Sequence, residues 1–511
     1  MPEHVRGDIA LHNRPVAGRP PRSQRDENLP LPKSEAWPPT SSKIVAAYAS
    51  GALSPVKTVE NCLRYARDLA QRKPTIGPLT HDTGDVARNE ARASEARYER
   101  KQTLGALDGV PVVIKEETAV KGLPCRGGTS FFGEELAERD ATIVARLRAA
   151  GAIVIGISAM TEYGMSPLGQ NAQRAMPKNP HNDAYVAGGS STGSGVAVAT
   201  GLVPFALGCD GGGSIRIPAA MCGVFGIKPT WGRVSRTGDI FTGSSVAHLG
   251  PLASSTEDLA RVLEVIGAAD PEDEETRFAP AIPAGSLIAA CRRGVRGLRI
   301  AVDERQWQDA SPAIQKAGRD ALAALEREGA ELVTTRVDML RHAAAIGYGT
   351  IGMEARGALR DHWARFADRM SPDLQVVLGS LSEVYSTDYI DGQRLRAGLR
   401  REVARLFGDV DLLALPSTVS TATPATEKEM ASGFLDSRAL DSSCRFMFLG
   451  NLTGLPAASI PVGLDANRLP IGLQLVGDAY DEATVLAASA HLERIGVAKA
   501  TRPAISVDLF S

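Results

Sequence analysis

Short apolar runs alternate with longer amphipathic segments along most of this chain. Apolar, largely β-branched runs bounded by glycine, proline or polar residues predict buried strands, and apolar residues at three- to four-residue spacing predict helices that bury one face. The strands are predicted within 109–116, 152–156, 205–209, 298–302, 331–337, 411–415, 456–461 and 473–476, and the helices within 42–69, 86–100, 140–150, 196–200, 255–268, 313–329, 342–407 and 484–495. This alternation predicts an α/β fold, a central β-sheet covered by helices on both faces.

The composition is that of an ordinary globular protein. The chain has 511 residues, of which 43% are hydrophobic and 23% charged, and its formal net charge is −2. This charge gives no argument for a nucleic-acid partner or for binding to an acidic membrane surface. No apolar run approaches the ~18 residues of a membrane span, and residues 1–11 lack the apolar core of a signal peptide. We therefore expect a soluble protein.

Cysteine and histidine are scattered without the spacing of a metal site. The six cysteines form no Cys-x-x-Cys pair, and the eight histidines form no ligand cluster. Unpaired thiols are typical of a reducing compartment. We therefore expect a cytoplasmic protein without a metal or another cofactor.

The first 39 residues differ from the rest of the chain. They hold eight of the 31 prolines, several arginines and little apolar periodicity. Such a segment has too little apolar surface to fold by itself. We expect residues 1–39 to form an extended arm or a disordered tail.

Two glycine- and serine-rich runs, 188–195 and 209–216, are the strongest candidates for chemistry. Each leads into a predicted helix, and backbone N–H groups at such a turn favour negative charge, as on a phosphate or an oxyanion. Neither run has the ending of a P-loop or a dinucleotide-binding fingerprint. Residues 189–193 also match the Gly-x-Ser-x-Gly elbow of α/β-hydrolases, with Ser191 as the nucleophile, although the preceding residues are a poor strand candidate. A flexible turn remains the other interpretation of either run.

A lysine upstream of these runs favours acyl transfer. Lys115 ends the buried strand predicted at 109–116. A lysine at such a position commonly pairs with a carboxylate, here Glu116 or Glu117. Buried among serines it could instead lose its proton, because desolvation disfavours the ammonium form, and then act as the general base for a hydroxyl.

Together these segments resemble the amidase signature family. The matching motifs are Gly-Val-Pro-Val-x-x-Lys at 109–115, Gly-Gly-Ser-Ser-x-Gly-Ser at 188–194, Asp-x-Gly-Gly-Ser-Ile-Arg-x-Pro at 210–218 and Cys-Gly-Val-Phe-Gly-Ile-Lys-Pro-Thr at 222–230. Ser190 and Ser214 are 24 positions apart, the spacing that this family shows. The resemblance extends from about residue 40 to residue 495. It implies one amidase domain over 40–511 with a central mixed β-sheet, a signature core at about 105–255 and a more variable helical substrate-pocket region at about 270–450.

The resemblance also implies a Ser-Ser-Lys triad. Ser214 would be the nucleophile, and Ser190, next to a cis peptide bond, would connect it to Lys115, neutral in the resting state. Ser191, Asp210 and Arg216 would support the loops. The oxyanion hole is expected from the backbone amides of Gly211, Gly212, Gly213 and Ser214, and the substrate contacts from Met160, Tyr163, Gly188, Gly189, Phe446 and Phe448.

The predicted function is hydrolysis of the C–N bond of a linear amide through an acyl-enzyme. The aromatic candidates favour a small aryl or acyl amide, an ester or a carbamate as the substrate. The alternatives are the glutaminase subunit of a tRNA-dependent amidotransferase, an α/β-hydrolase that uses Ser191, and a non-catalytic binding protein. As partners we expect a small-molecule amide or carbamate, no nucleic acid and no membrane, with a homodimer left open.

Overall fold

One eleven-stranded mixed β-sheet forms the centre of the structure, a computed structural model that describes residues 28–32, 37–133, 135–240, 245–426 and 436–510. The strands are β1 (Leu79–Asp82), β2 (Pro111–Lys115), β3 (Ile153–Ser158), β4 (Phe205–Asp210), β5 (Phe225–Lys228), β6 (His248–Ala253), β7 (Arg299–Val302), β8 (Glu331–Thr334), β9 (Leu412–Pro416), β10 (Ala457–Leu464) and β11 (Pro470–Gly477). Their order across the sheet is β1-β3-β2-β4-β6-β5-β10-β11-β9-β7-β8. β2 pairs in parallel with β3 and β4, and β7 with β8 and β9, whereas the other pairs are antiparallel. The predicted α/β class and mixed sheet are confirmed.

Helices pack on this sheet from both sides. They are α1 (Ser41–Ser50), α2 (Pro55–Gln71), α3 (Asp85–Glu99), α4 (Thr142–Ala149), α5 (Thr192–Ala199), α6 (Arg216–Cys222), α7 (Thr256–Ile266), α8 (Ser286–Ala290), α9 (Glu304–Gln308), α10 (Pro312–Arg327), α11 (Ala343–Ala358), α12 (Arg360–Phe366), α13 (Pro372–Ser380), α14 (Ser386–Phe407), α15 (Ser437–Cys444), α16 (Phe448–Thr453) and α17 (Glu482–Arg494). Alternate residues of β2 enter different cores, Val112 and Ile114 in one and Val113 in the other. A strand buried on both faces explains why this run is apolar throughout.

The periodicity located most of these elements to within a few residues. Two helices begin at a serine N-cap: Ser54 accepts a hydrogen bond from Lys57 N over 3.2 Å, and Ser255 accepts one from Asp258 N over 3.1 Å. Three strands were missed, namely β1, β5 and β6. β6 contains Gly250 and Pro251, which are depleted in strands, and its sequence therefore carries a weak strand signal.

The described residues near the N-terminus contact the body of the protein. Leu29 N donates to Arg292 O over 2.9 Å, and Trp37 Nε1 donates to Ala199 O over 3.0 Å. Residues 1–27 lie outside the described residues, so the predicted arm stays a prediction there. In the described part of the chain, no helix combines the length and the apolar character needed to cross a membrane.

Candidate active site

Lys115 is the last residue of β2, and this strand carries it into the interior. β2 lies between β3 and β4, and all of its residues are buried. The lysine is 1% exposed. Its Nζ donates a hydrogen bond to Ser190 Oγ over 2.7 Å and lies 3.4 Å from the carbonyl oxygen of Cys209. The structure thus brings the predicted lysine and the first predicted serine into direct contact.

Lys115 also has an acidic partner. Glu117 Oε1 lies 2.7 Å from Lys115 Nζ, and Glu117 is almost completely buried. The neighbouring Glu116 pairs with Arg174 instead, over 2.9 Å. Lys115 therefore contacts both a carboxylate and a serine, so the predicted carboxylate partner is Glu117, and the role of Lys115 as a general base stays a prediction.

Ser190 lies in a tightly packed turn. The Gly189–Ser190 peptide bond is cis, as the family resemblance implies. Gly189 N donates to Pro167 O over 2.7 Å, and a Cβ at Gly189 would lie 2.7 Å from Ser166 O, so only glycine fits there. A Cβ at Gly188 would lie 3.0 Å from the sulfur of Met221. Gly188 and Gly189, both predicted substrate contacts, are therefore packed so closely against protein atoms that a side chain at either position would meet them.

Ser191 joins the two serine loops. It is fully buried, and its hydroxyl lies 3.3 Å from both the N and the O of Cys209 in β4. Its backbone N–H donates to the carbonyl oxygen of Ser214 over 3.2 Å. No strand runs directly into it, because the described residues 179–190 contain only an isolated bridge at Tyr185. Ser191 therefore has the contacts of a loop support and lacks the strand of a nucleophile elbow.

Asp210 shapes the loop that carries Ser214. It ends β4, and its carboxylate accepts hydrogen bonds from Gly213 N over 2.8 Å and from Ile215 N over 3.2 Å. Ser214 is half-buried where α6 begins. The Gly213 N–H, one of the four predicted oxyanion donors, is therefore engaged by Asp210. In the described part of the chain the N–H groups of Gly211, Gly212 and Ser214 have no such partner.

Arg216 holds Asp210 in place. Burial alone would raise the pKa of the Asp210 carboxyl, but the Arg216 guanidinium beside it outweighs burial and holds that pKa below its usual range. The guanidinium bonds both carboxylate oxygens, over 2.8 and 2.9 Å, and is itself fully buried. It also donates to Asn451 Oδ1 and Gln474 Oε1, each over 2.6 Å. Neither Asn451 nor Gln474 was among the predicted site residues.

Aromatic and aliphatic side chains lie against the glycines beside Ser214. A Cβ at Gly212 would lie 2.6 Å from the Phe448 ring, and one at Gly211 would lie 2.9 Å from Ile351 Cδ1. The ring of Tyr348 meets that of Phe448 edge-on, with centroids 4.8 Å apart. Phe446 is buried and its carbonyl oxygen accepts from Gln474. Phe448 thus lies beside Gly212, in the loop that leads to the predicted nucleophile. Ile351 and Tyr348 were not predicted.

Met160 and Tyr163 flank a glycine that faces Ser190. A Cβ at Gly164 would lie 3.3 Å from Ser190 Oγ and 3.7 Å from Met160 Cε. Tyr163 is buried, has a φ of 48°, and its hydroxyl lies 3.1 Å from Nδ1 of His362 in α12. The segment at 160–164 therefore lies close to the lysine–serine pair.

The four histidines that follow Ser191 in the chain contact groups other than the Ser191 hydroxyl, which lies against the backbone of Cys209. Burial lowers the pKa of the His248 imidazole well below its ordinary value. The contacts are His248 Nδ1 with Val246 O at 2.7 Å, His342 Nε2 with Arg341 Nε at 3.0 Å, His362 Nδ1 with the Tyr163 hydroxyl at 3.1 Å and His491 Nε2 with Glu328 at 3.4 Å.

Glu117, Cys209 and Asp239 are the group in the described residues whose side chains could offer atoms to a metal ion, within 4.8 Å of one another. Burial raises the pKa of the Cys209 thiol, and burial together with the charge of Glu117 raises that of the Asp239 carboxyl. A raised pKa disfavours the deprotonated form that binds a metal ion, and Glu117 pairs with Lys115. These three side chains therefore belong to the surroundings of Lys115.

Comparison with known proteins agrees with this geometry. The sequence matches the profile of the Amidase family over residues 60–486. It is 35% identical over 480 residues to a glutamyl-tRNA(Gln) amidotransferase subunit from Chloroflexus aggregans, covering 89% of this chain and 96% of that protein. It is 32% identical over 471 residues to fatty acid amide hydrolase of Arabidopsis thaliana, covering 91% of this chain and 77% of that protein.

The fold is also similar to a solved structure. A bacterial aryl acylamidase, one of the amidase signature enzymes, superposes with a TM-score of 0.79 at 25% identity, covering 90% of this chain and 96% of that one. The family profile covers more than half of the chain, and the relatives exceed 30% identity over most of their length. The chain therefore belongs to the amidase signature family.

Proposed function

We propose that this amidase hydrolyses a linear amide through an acyl-enzyme on Ser214, with Ser190 and Lys115 as the proton relay. The proposal rests on the 2.7 Å hydrogen bond between Lys115 Nζ and Ser190 Oγ in an interior where the lysine is 1% exposed. A serine hydroxyl is a weak nucleophile and needs an adjacent base. An amine removed from water can serve as that base, because desolvation disfavours the ammonium form.

The reaction begins when Ser214 Oγ attacks the amide carbon. Its proton passes to Ser190 Oγ, and Ser190 passes its own proton to Lys115 Nζ. When the C–N bond breaks, the same relay returns a proton to the leaving amine and leaves an ester on Ser214. Water then attacks the ester, and the relay acts in the same way to release the acid.

The oxyanion of each tetrahedral intermediate lies at the loop that leads to Ser214. We assign it the N–H groups of Gly211, Gly212 and Ser214, because the N–H of Gly213 donates to Asp210. Removing one oxyanion donor elsewhere costs roughly 3–4 kcal/mol of transition-state stabilisation. The buried Asp210–Arg216 pair, 2.8 Å apart, holds this loop in place.

The substrate we favour is a small aryl or acyl amide, with an ester or carbamate as a further candidate. The apolar side chains of Phe448 and Ile351 beside the loop glycines support an apolar acyl group. The similarity to a protein named an aryl acylamidase points in the same direction.

A second candidate function is the glutaminase subunit of a tRNA-dependent amidotransferase. The 35% identity to proteins named as a glutamyl-tRNA(Gln) amidotransferase subunit supports it. Such a function would require partner subunits and free glutamine as the nitrogen source. We favour the stand-alone enzyme because apolar rings adjoin the loop glycines, whereas glutamine has a polar, charged body.

We further propose that residues 40–511 form one catalytic domain. It acts in the cytoplasm on a small molecule, and the oligomeric state that we propose to test is a homodimer. One sheet that takes strands from Leu79 to Gly477 supports the single domain. All six cysteines are free thiols, which supports a reducing compartment.

A hydrolysis screen tests the proposal. The purified chain is incubated with aryl amides, aryl carbamates, fatty amides and glutamine, with Ser214→Ala as the matched control. We expect aryl amide turnover by the chain alone and an acyl adduct on Ser214 by intact mass and peptide mapping. Glutamine hydrolysis that appears only with tRNA and companion subunits would replace our proposal with the amidotransferase. Turnover by folded Ser214→Ala would overturn the acyl-enzyme.

A further inference from the structure

Lys115 has a buried carboxylate partner that the relay described above does not use. Glu117 Oε1 lies 2.7 Å from Lys115 Nζ, the same distance as Ser190 Oγ. Both side chains are almost completely buried. Charges in such a site interact more strongly than in water. The amino group is therefore fixed between a carboxylate and the hydroxyl from which it is to receive a proton.

We propose that Glu117 is a positioning residue of this amidase: its carboxylate orients the amino group of Lys115 toward Ser190 and stabilises the positive charge that Lys115 gains as Ser214 attacks. The inference rests on the proposed function. No further proton moves, because Glu117 stays a carboxylate while the Ser190 O–H bond breaks and the Lys115 N–H bond forms. In other enzymes that activate a nucleophile in this way, a third group commonly orients the base.

Lys115 is the cationic partner of the Glu117 carboxylate, and other groups contact the backbone of Glu117 or lie nearby. Cys125 Sγ donates to the carbonyl oxygen of Glu117 over 3.2 Å, and Thr118 Oγ1 donates to Asp239 Oδ1 over 2.7 Å. Burial and the charge of Glu117 raise the pKa of the Asp239 carboxyl, which disfavours a second negative charge beside Glu117. The titratable groups that interact directly with Glu117 are Lys115, Cys125, Cys209 and Asp239. The charged groups next to these or to the neighbouring Glu116 are Arg174, Asp210 and Arg236.

Glu116 offers a matched comparison in the adjacent position. It is also buried, but its carboxylate pairs with Arg174 Nη1 over 2.9 and 3.0 Å. Replacing it removes a carboxylate of the same kind that does not contact Lys115. A general effect of losing buried negative charge would appear in both variants, whereas the proposed role concerns Glu117 alone.

The test is the pH dependence of kcat/KM on 4-nitroacetanilide for the wild type, Glu117→Gln, Glu117→Asp and Glu116→Gln. A carboxylate favours the ammonium form of its partner, so Glu117→Gln should move the acid limb at least about one unit toward acid pH. One unit corresponds to a tenfold change in equilibrium, and the alkaline plateau should fall by a similar factor. The wild-type and Glu117→Gln profiles should therefore converge at acid pH and separate at alkaline pH. Glu117→Asp should lie between them, and Glu116→Gln should keep the wild-type limb.

A uniform loss of kcat/KM at every pH in Glu117→Gln, or an unmoved limb, would overturn the inference and leave Glu117 a structural residue. If the glutamine variant does not fold, an unmoved limb in Glu117→Asp overturns it equally. If the wild type does not turn over this amide, the rate of covalent labelling by a fluorophosphonate replaces kcat/KM in the same comparison. Labelling that persists in Ser214→Ala would contradict the proposed function itself, whereas labelling confined to Ser214 with unchanged limbs contradicts only the role of Glu117.

Discussion

Replacing Arg216 with methionine should destabilise the protein and disable the loop that carries Ser214. The variant keeps an unbranched side chain but removes the guanidinium at the centre of a fully buried network. That guanidinium makes five hydrogen bonds, two to Asp210 and one each to Met447 O, Asn451 and Gln474. Asp210 would keep its charge with no cationic hydrogen-bond partner.

The expected cost follows from this burial. Removing one partner of a buried ion pair destabilises proteins by about 3–5 kcal/mol, because the other charge is left uncompensated. Some hydrogen bonds to Asp210 remain, from Gly213 N and from Asn451 Nδ2 over 2.9 Å, so we expect the lower part of that range. An exposed pair gives the contrast: Lys316→Met removes the helical pair with Asp320 and should cost less than about 0.5 kcal/mol.

Equilibrium urea denaturation followed by far-ultraviolet circular dichroism measures the free energy of unfolding. The kcat on an aryl amide shows whether the loop still holds Ser214 in its active position. Arg216 lowers the pKa of Asp210 in the folded state, so the stability that it adds is present above the ordinary pKa of an aspartate, about 3.9, and is lost as the pH falls below it. The difference between wild type and Arg216→Met should therefore shrink below about pH 4. Adding Asp210→Asn to Arg216→Met should recover part of the loss. A change below about 1 kcal/mol at pH 7, the value typical of an exposed pair, or no recovery in the double variant, would refute the reasoning.

Three further results are expected. Ser214→Ala should abolish amide hydrolysis with an unchanged unfolding midpoint. Ser191→Ala, which removes the hydroxyl that contacts the backbone N and O of Cys209, should lose about 0.5–1.5 kcal/mol of stability but keep more activity than Ser214→Ala in the same assay. Burial and the nearby charge of Asp373 raise the pKa of Glu162 to about 7, so wild-type stability should fall as the pH rises from about 4.3 to 7, and Glu162→Gln should flatten this dependence in urea titrations at several pH values. Deleting residues 1–27 should leave kcat/KM and the melting temperature unchanged, and a lost fold would contradict the prediction of a separate arm.

The sequence by itself determined most of the elements and pointed to the candidate residues of the site. Period-two and helical spacing located most strands and helices, because a buried strand such as β2 must be apolar on both faces. The spacing of Lys115, Ser190 and Ser214 gave the proposed triad through its resemblance to a family, whereas its geometry could not be deduced from the chain alone. The structure adds the physical reason for one glycine of the motif, because backbone atoms approach Gly189 so closely that only glycine fits there.

Only the tertiary structure decided which side chains meet. Glu116 and Glu117 are adjacent and chemically alike, yet one pairs with Arg174 and the other with Lys115, because the chain directs them to different neighbours beyond the end of β2. Asn451 lies 235 positions from Arg216 and reaches it because α16, which packs against α11 and α14, brings it there. β6 was missed because glycine and proline weaken its local signal, and pairing with β4 and β5 outweighs that weak propensity. Local preference is set within a few residues, whereas a buried charge or a strand edge is satisfied by whatever partner the fold brings to it.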